Sequence, residues 1–241
     1  MKPIIIIPAR MASTRLPGKP LAEIAGEPMI AQVYRRAKES KLGEVVVACD
    51  DPAIAWEIEK IGGKAVLTDP DLPSGSDRIW EALQEYDPEE QYDVIINLQG
   101  DLPTLNPDLL QRLIPPFENE EVDIVTLAAE IRDEEERSNP SVVKPVIAFD
   151  TTSQGRALYF TRATAPHGEG ALYHHIGVYA YRRNVLEAFV GMEPSPLEKR
   201  EKLEQLRALE NGMHIEVCIV DTVPLGVDTP NDLEKARSHF A

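Results

Sequence analysis

The sequence predicts an α/β protein: a doubly wound, mixed and mostly parallel sheet with helices on both faces, plus a small antiparallel excursion. Two observations carry this. From Lys2 to about Asp101, short apolar runs alternate with amphipathic stretches, as βαβ units do over a parallel sheet. Between Val142 and Tyr181 the pattern changes to closely spaced strand-like runs joined by Gly- and Ser-containing turns, which reads as antiparallel. The first strand is 3–7, where the run Ile4-Ile5-Ile6-Ile7 has the β-branched composition of a strand buried on both faces. Further strands are expected at 44–48, 64–67 and 94–98. Helices are expected at 29–41, 53–61 and 77–86, each preceded by turn or capping residues such as Asp50, Asp51, Pro52 and Ser76. Residues 107–117 and 133–137 read as helical, and 124–129 as another strand. The excursion holds runs at 142–149, 157–161 and 176–181. Helical pattern resumes at 185–190 and 196–209, followed by a strand at 215–220 and a closing helix from Pro230. With no repeat, low-complexity tract or separating linker, one domain over 1–241 is expected, with 142–183 as the excursion.

Composition limits the function classes. The 241 residues are 43% hydrophobic and 27% charged, enough for a proper core. A formal net charge of −16 disfavours nonspecific binding to nucleic acid or anionic lipid, so local clusters of cations stand out against the overall field. Cys49 and Cys218 lie far apart with no CxxC, which suggests neither a disulfide framework nor a zinc site and fits a reducing, cytoplasmic setting. No segment approaches the apolar length needed to span a bilayer, and neither export nor membrane insertion is expected.

The chemistry concentrates in four clusters. Immediately after the first strand, Pro8-Ala9-Arg10 through Arg15-Leu16-Pro17-Gly18-Lys19-Pro20 forms a turn-rich loop carrying three cations, placed where α/β sheets bind ligands. Such a loop suits a triphosphate, whose charge must be neutralised before its phosphorus is attacked. Gln99-Gly100-Asp101-Leu102-Pro103 puts a carboxylate just past a central strand, suited to a hard cation such as Mg²⁺ or to capping its own turn. Ser74-Gly75-Ser76-Asp77-Arg78 reads equally as a helix N-cap and as a set of N–H groups and hydroxyls for a nucleotide. Gly226-Val227-Asp228-Thr229-Pro230 offers either another cap or a second carboxylate to complete a magnesium site with Asp101. Arg162, His174, His175, Glu204 and Gln205 would by spacing alone be packed or solvated residues. The P-loop, dinucleotide, HExxH and GxSxG signatures are absent from the sequence.

Taken in order, these four clusters together with Ser195-Pro196-Leu197-Glu198 and Leu203-Glu204-Gln205-Leu206-Arg207 closely resemble the 3-deoxy-manno-octulosonate cytidylyltransferases (CMP-Kdo synthetases) over essentially the whole chain. The resemblance implies a Rossmann-like fold of the nucleotide-diphospho-sugar transferase type. It also implies transfer of CMP from CTP to Kdo with release of pyrophosphate, for lipopolysaccharide synthesis, by a Mg²⁺-dependent homodimer whose excursion lies at the interface. Arg10, Arg15 and Lys19 would grip the triphosphate, with Ala9, Ser74, Gly75 and Arg78 completing the CTP site. Asp101 and Asp228 would hold magnesium, and with Lys19 and Arg10 form the catalytic set. Gln99, Arg162, His175, Glu204 and Gln205 would contact the sugar acid, with Arg162 facing its carboxylate. Two departures from the family pattern are Leu102, where an acid is common, and Cys49, where Thr is usual. A cytidylyltransferase for 8-amino-Kdo would look much the same, and one for another acidic sugar is an alternative reading. So is a nonenzymatic nucleotide sensor, although a complete pair of acids speaks against it.

Overall fold

The computed structural model describes residues 1–240. The chain forms two compact units: residues 1–111 with 224–241, and residues 112–223.

In the first unit, β1 (Pro3–Ala9) leads through a 3₁₀ turn (Lys19–Leu21) and a short hairpin of β2 (Glu23–Ile24) and β3 (Glu27–Pro28) into α1 (Met29–Glu39). There follow β4 (Glu44–Cys49), α2 (Pro52–Lys60), β5 (Lys64–Leu67), α3 (Gly75–Tyr86), β6 (Val94–Asn97) and α4 (Asp108–Gln111). The strands pair in parallel in the order β5-β4-β1-β6. The four isoleucines of β1 are fully buried, as their composition predicts. α1 turns Met29, Ile30, Val33, Tyr34 and Ala37 inward at helical spacing. Asp51 caps α2 by accepting the Ala53 N–H.

The strand order fixes where a ligand goes. From β1 the chain steps outward through β4 to β5, then returns to lay β6 on the other side of β1. Right-handed crossovers therefore place α1 and α2 on one face and α3 on the other. The sheet is doubly wound, as expected, with its switch point between β1 and β6, where open α/β sheets bind ligands beyond the strands' carboxyl ends.

The second unit contains β7 (Ile124–Glu130), α5 (Glu134–Ser138), β8 (Lys144–Thr151), β9 (Gln154–Thr161), β10 (Tyr173–Arg182), α6 (Arg183–Val190), α7 (Pro196–Glu201), α8 (Leu206–Glu210) and β11 (Ile215–Val220). Its strands run β10-β7-β11-β9-β8, with β7 and β11 parallel and the other pairs antiparallel. Residues 142–183 thus supply β8, β9 and β10 of this mixed sheet. The chain then returns to the first unit and closes with α9 (Pro230–His239), whose Leu233 and Ala236 pack with Ile24, Met29 and Val227.

Two expected helices are broken. The stretch 107–117 divides into α4 and a 3₁₀ turn over Pro115–Glu118, because Pro115 and Pro116 cannot donate the N–H bonds that continue a helix. The stretch 196–209 divides into α7 and α8 at Lys202, which adopts a left-handed conformation at φ 58°. A bidentate pair from Arg207 to Glu198, at 2.9 and 2.7 Å, folds the second piece back on the first. Neither Gly nor Pro marks that break.

Candidate active site

The loop after β1 is pinned from its neighbour: the Met11 N–H donates to Asp50 Oδ1 at 3.0 Å. Gly18, at φ 67°, turns the loop into the 3₁₀ turn that carries Lys19. At the end of β6, a Cβ on Gly100 would stand 2.8 Å from the Pro8 carbonyl oxygen, so only glycine lets this loop approach β1 so closely. Asp101 follows.

The C-terminal segment is tied to the same place. The Val227 N–H donates to the Asp101 carbonyl at 2.9 Å, and the Leu225 N–H to Thr104 Oγ1 at 3.0 Å. Leu102 is buried, and a Cβ on Gly226 in the returning loop would stand 3.8 Å from its methyl group. Thr229 and Asp232 form a reciprocal capping box at the start of α9, which fixes Asp228 immediately before it.

These restraints bring Asp101 and Asp228 to a common cation. Lys19 Nζ lies 2.7 Å from Asp101 Oδ2 and 3.1 Å from Asp228 Oδ1. Arg15 adds a second cation, with its Nη2 at 3.1 Å from Asp228 Oδ2. Burial by itself would lower the Lys19 pKa, but the charges and hydrogen bonds of Asp101 and Asp228 outweigh it and hold the ammonium above its ordinary value.

A cleft of about 330 Å³ opens at the switch point. It brings together Ala9, Arg10, Arg15, Lys19, Ser74, Gly75, Arg78, Gln99, Asp101 and Asp228. Ser74 plays the capping part in full: its hydroxyl accepts the Ser76 and Asp77 N–H groups and donates to Asp77 Oδ2 at 2.6 Å. Arg78 is almost wholly buried, and its guanidinium bonds Thr68 Oγ1 and the Asp69 carbonyl, bracing the loop before α3. Gln99 donates to Asn97 Oδ1 at 3.1 Å.

Arg162, His175, Glu204 and Gln205 belong to the second unit. Arg162 donates to the carbonyls of Glu201, Pro140 and Lys202, two of them oxygens freed where α7 ends. Three of its five N–H groups are so used. His175 lies between the rings of Phe160 and Tyr179, at 5.0 and 5.4 Å, with Nε2 3.0 Å from Thr126 Oγ1. Desolvation, with a smaller contribution from His174, depresses its pKa to about 3, so it is neutral at physiological pH. Glu204 Oε1 is 3.9 Å from Arg207, and Gln205 is buried at the head of α8. Tyr179 packs against the His175 ring. Burial pushes its phenol well above the ordinary value, with the charges of Tyr181 and Glu204 adding to the shift. Tyr179 lies four residues after His175, across the irregular register of β10 between Ile176 and Tyr179. Cys49 and Cys218 are buried, with thiols raised to about 11 and about 12 mainly by desolvation, which makes them poor nucleophiles. No helix among the described residues is long and apolar enough to cross a membrane.

A doubly wound layer with a cleft lined by Arg10, Arg15 and Lys19 and paired carboxylates at its switch point defines the class: an α/β protein built to hold phosphorylated nucleotides. A family model described as cytidylyltransferase matches residues 4–215. The chain is 64% identical to the 3-deoxy-manno-octulosonate cytidylyltransferase of Parvibaculum lavamentivorans, over 99% of this chain and 93% of that protein. It is 58% identical to the one of Paramagnetospirillum magneticum, over 99% and 97%. A solved structure described as CMP:2-keto-3-deoxy-manno-octonic acid synthetase complexed with CTP superposes with a TM-score of 0.91 at 39% identity, covering 100% of this chain and 98% of that one. The chain belongs to the 3-deoxy-manno-octulosonate cytidylyltransferase family.

Proposed function

We propose that the protein transfers CMP from CTP to the anomeric hydroxyl of Kdo, giving CMP-Kdo and pyrophosphate for lipopolysaccharide assembly in the cytoplasm. The observation that carries the chemistry is the convergence of Asp101 and Asp228 on one cation beside the basic loop. In this reading Arg10, Arg15 and Lys19 neutralise the triphosphate and stabilise the departing pyrophosphate. Ala9, Ser74, Gly75 and Arg78 surround the nucleotide. Gln99, Arg162, His175, Glu204 and Gln205 hold the sugar acid, the spare N–H groups of Arg162 meeting its carboxylate. The sugar hydroxyl attacks the α-phosphorus in line and the bond to the β-phosphate oxygen breaks, so no covalent enzyme intermediate forms.

The donor set fits Mg²⁺. Asp101 and Asp228 present hard carboxylate oxygens to a shared point already occupied by a positive group. No set of three His, Cys, Asp or Glu side chains gathers as a metal centre among the described residues, so phosphate and water would complete the shell. When bound, magnesium supplies charge neutralisation at phosphorus and a lower pKa for the attacking hydroxyl.

The excursion at 142–183 is the proposed homodimer contact, since Phe149 and Leu158 on β8 and β9 are exposed apolar side chains. A sedimentation mass of a single chain would remove that part of the reading. The reaction itself is tested by pyrophosphate release with CTP, Mg²⁺ and a panel of Kdo, 8-amino-Kdo and sialic acid. Kdo should give the highest kcat/KM. A preference for 8-amino-Kdo would shift the substrate, and tight CTP binding without release from any acceptor would indicate a sensor.

A further inference from the structure

We propose that Lys19 is a placeholder: in the nucleotide-free protein its ammonium occupies the seat between Asp101 and Asp228 and keeps a divalent cation out until a triphosphate draws it away. The inference rests on the reading that these two aspartates hold the cation. Two of the three ammonium donors are spent on the carboxylates, at 2.7 and 3.1 Å. Mg²⁺ sits about 2.0–2.1 Å from carboxylate oxygens, so an ion bridging the same oxygens would compete for their lone pairs and press against another cation. The Lys19 side chain is only 17% exposed, and water screens such repulsion poorly there.

Arg15 completes the neutralisation. Two carboxylates face two cations, so the pair offers little net attraction to a metal arriving alone. A triphosphate entering the cleft changes that balance. Arg10, Arg15 and Lys19 all line the cleft, the Arg15 side chain is 65% exposed, and lysine's flexible stem lets its ammonium move to phosphate oxygens. The carboxylates are then released for the metal. The cation site is therefore assembled by the nucleotide, and the resting protein does not sequester divalent ions.

The test uses Mn²⁺ alone as probe, with binding to the full-length protein measured by electron paramagnetic resonance in the absence of nucleotide. Wild type should bind weakly, Lys19→Met roughly tenfold or more tightly, and Lys19→Arg as weakly as wild type. Equal affinity in wild type and Lys19→Met, or no Mn²⁺ bound by either, overturns the placeholder. Adding Asp101→Asn to Lys19→Met should abolish the gain. If Mn²⁺ affinity is unaffected by that change, the metal assignment falls and the placeholder with it. A second measurement needs no variant: in lysine side-chain ¹⁵N spectra of wild type, the protected Lys19 ammonium should shift when CTP and Mg²⁺ are added. An unmoved resonance at saturation overturns the proposal.

Discussion

Lys19 shows how a residue type can be legible while its resting partner is not. The sequence marks a cation in a loop beyond a strand, which is enough to expect phosphate binding. That this cation sits between Asp101 and Asp228 depends on contacts across 82 and 209 positions. The same holds for Arg162, whose guanidinium is oriented by carbonyls from a helix end that no local signal marks. Ser74 and Arg78 are the converse: the cap at Ser74 is legible in the sequence, but the bracing of Thr68 by Arg78 is not. His175 gives a residue-scale prediction. Its folded pKa of about 3 lies below the ordinary 6.5, so between those values the unfolded chain binds more protons and stability falls as the pH drops. The slope is at most about 1.4 kcal/mol per pH unit. Urea unfolding followed from neutral pH into that window should show a steeper loss for wild type than for His175→Gln, by roughly 1 kcal/mol or more. Parallel slopes would contradict the depressed pKa of this imidazole.

At the scale of elements, the strands were the most legible part. The β-branched run of β1 and the apolar cores of β4, β6 and β11 define those strands to within a residue or two, because burial on both faces leaves a continuous apolar signal; β5, at the sheet edge, buries only Val66. The helices over 107–117 and 196–209 were overextended. Pro115 and Pro116 are visible breakers, whereas the left-handed turn at Lys202 is bridged by the Arg207–Glu198 pair, a contact that no local sequence signal marks. The hairpin of β2 and β3 is too short to leave a periodic pattern. One loop tests how tightly an element positions chemistry. In Gly100→Ala the added methyl meets the Pro8 carbonyl at 2.8 Å and must displace backbone, costing about 1–3 kcal/mol of stability. Because Asp101 is the next residue, turnover should also fall, on the order of a hundredfold for a misplacement near 1 Å. Thermal melts and pyrophosphate-release rates of the folded variant check both; an unchanged kcat would mean the close approach is not what positions Asp101.

At the scale of the whole molecule, a net charge of −16 surrounds a cleft whose local charge is set by Arg10, Arg15 and Lys19 against Asp101 and Asp228. The doubly wound order creates the cleft, and the chain's return from the second unit carries Asp228 to it. Two hydrogen bonds from backbone N–H groups, one to the Asp101 carbonyl and one to Thr104 Oγ1, and a capping box then fix the meeting. The sequence suggested this convergence through motif order, but the Leu225 and Val227 N–H groups that enforce it have no sequence signature. If the two aspartates act as one unit, their losses are not additive. The most direct measurement is kcat for CMP transfer from CTP to Kdo by Asp101→Asn, Asp228→Asn and the double variant, each checked for native folding. Each single change should lower kcat by roughly a hundredfold or more, with the double variant little worse than either. Near-normal turnover in either single variant would contradict the shared site.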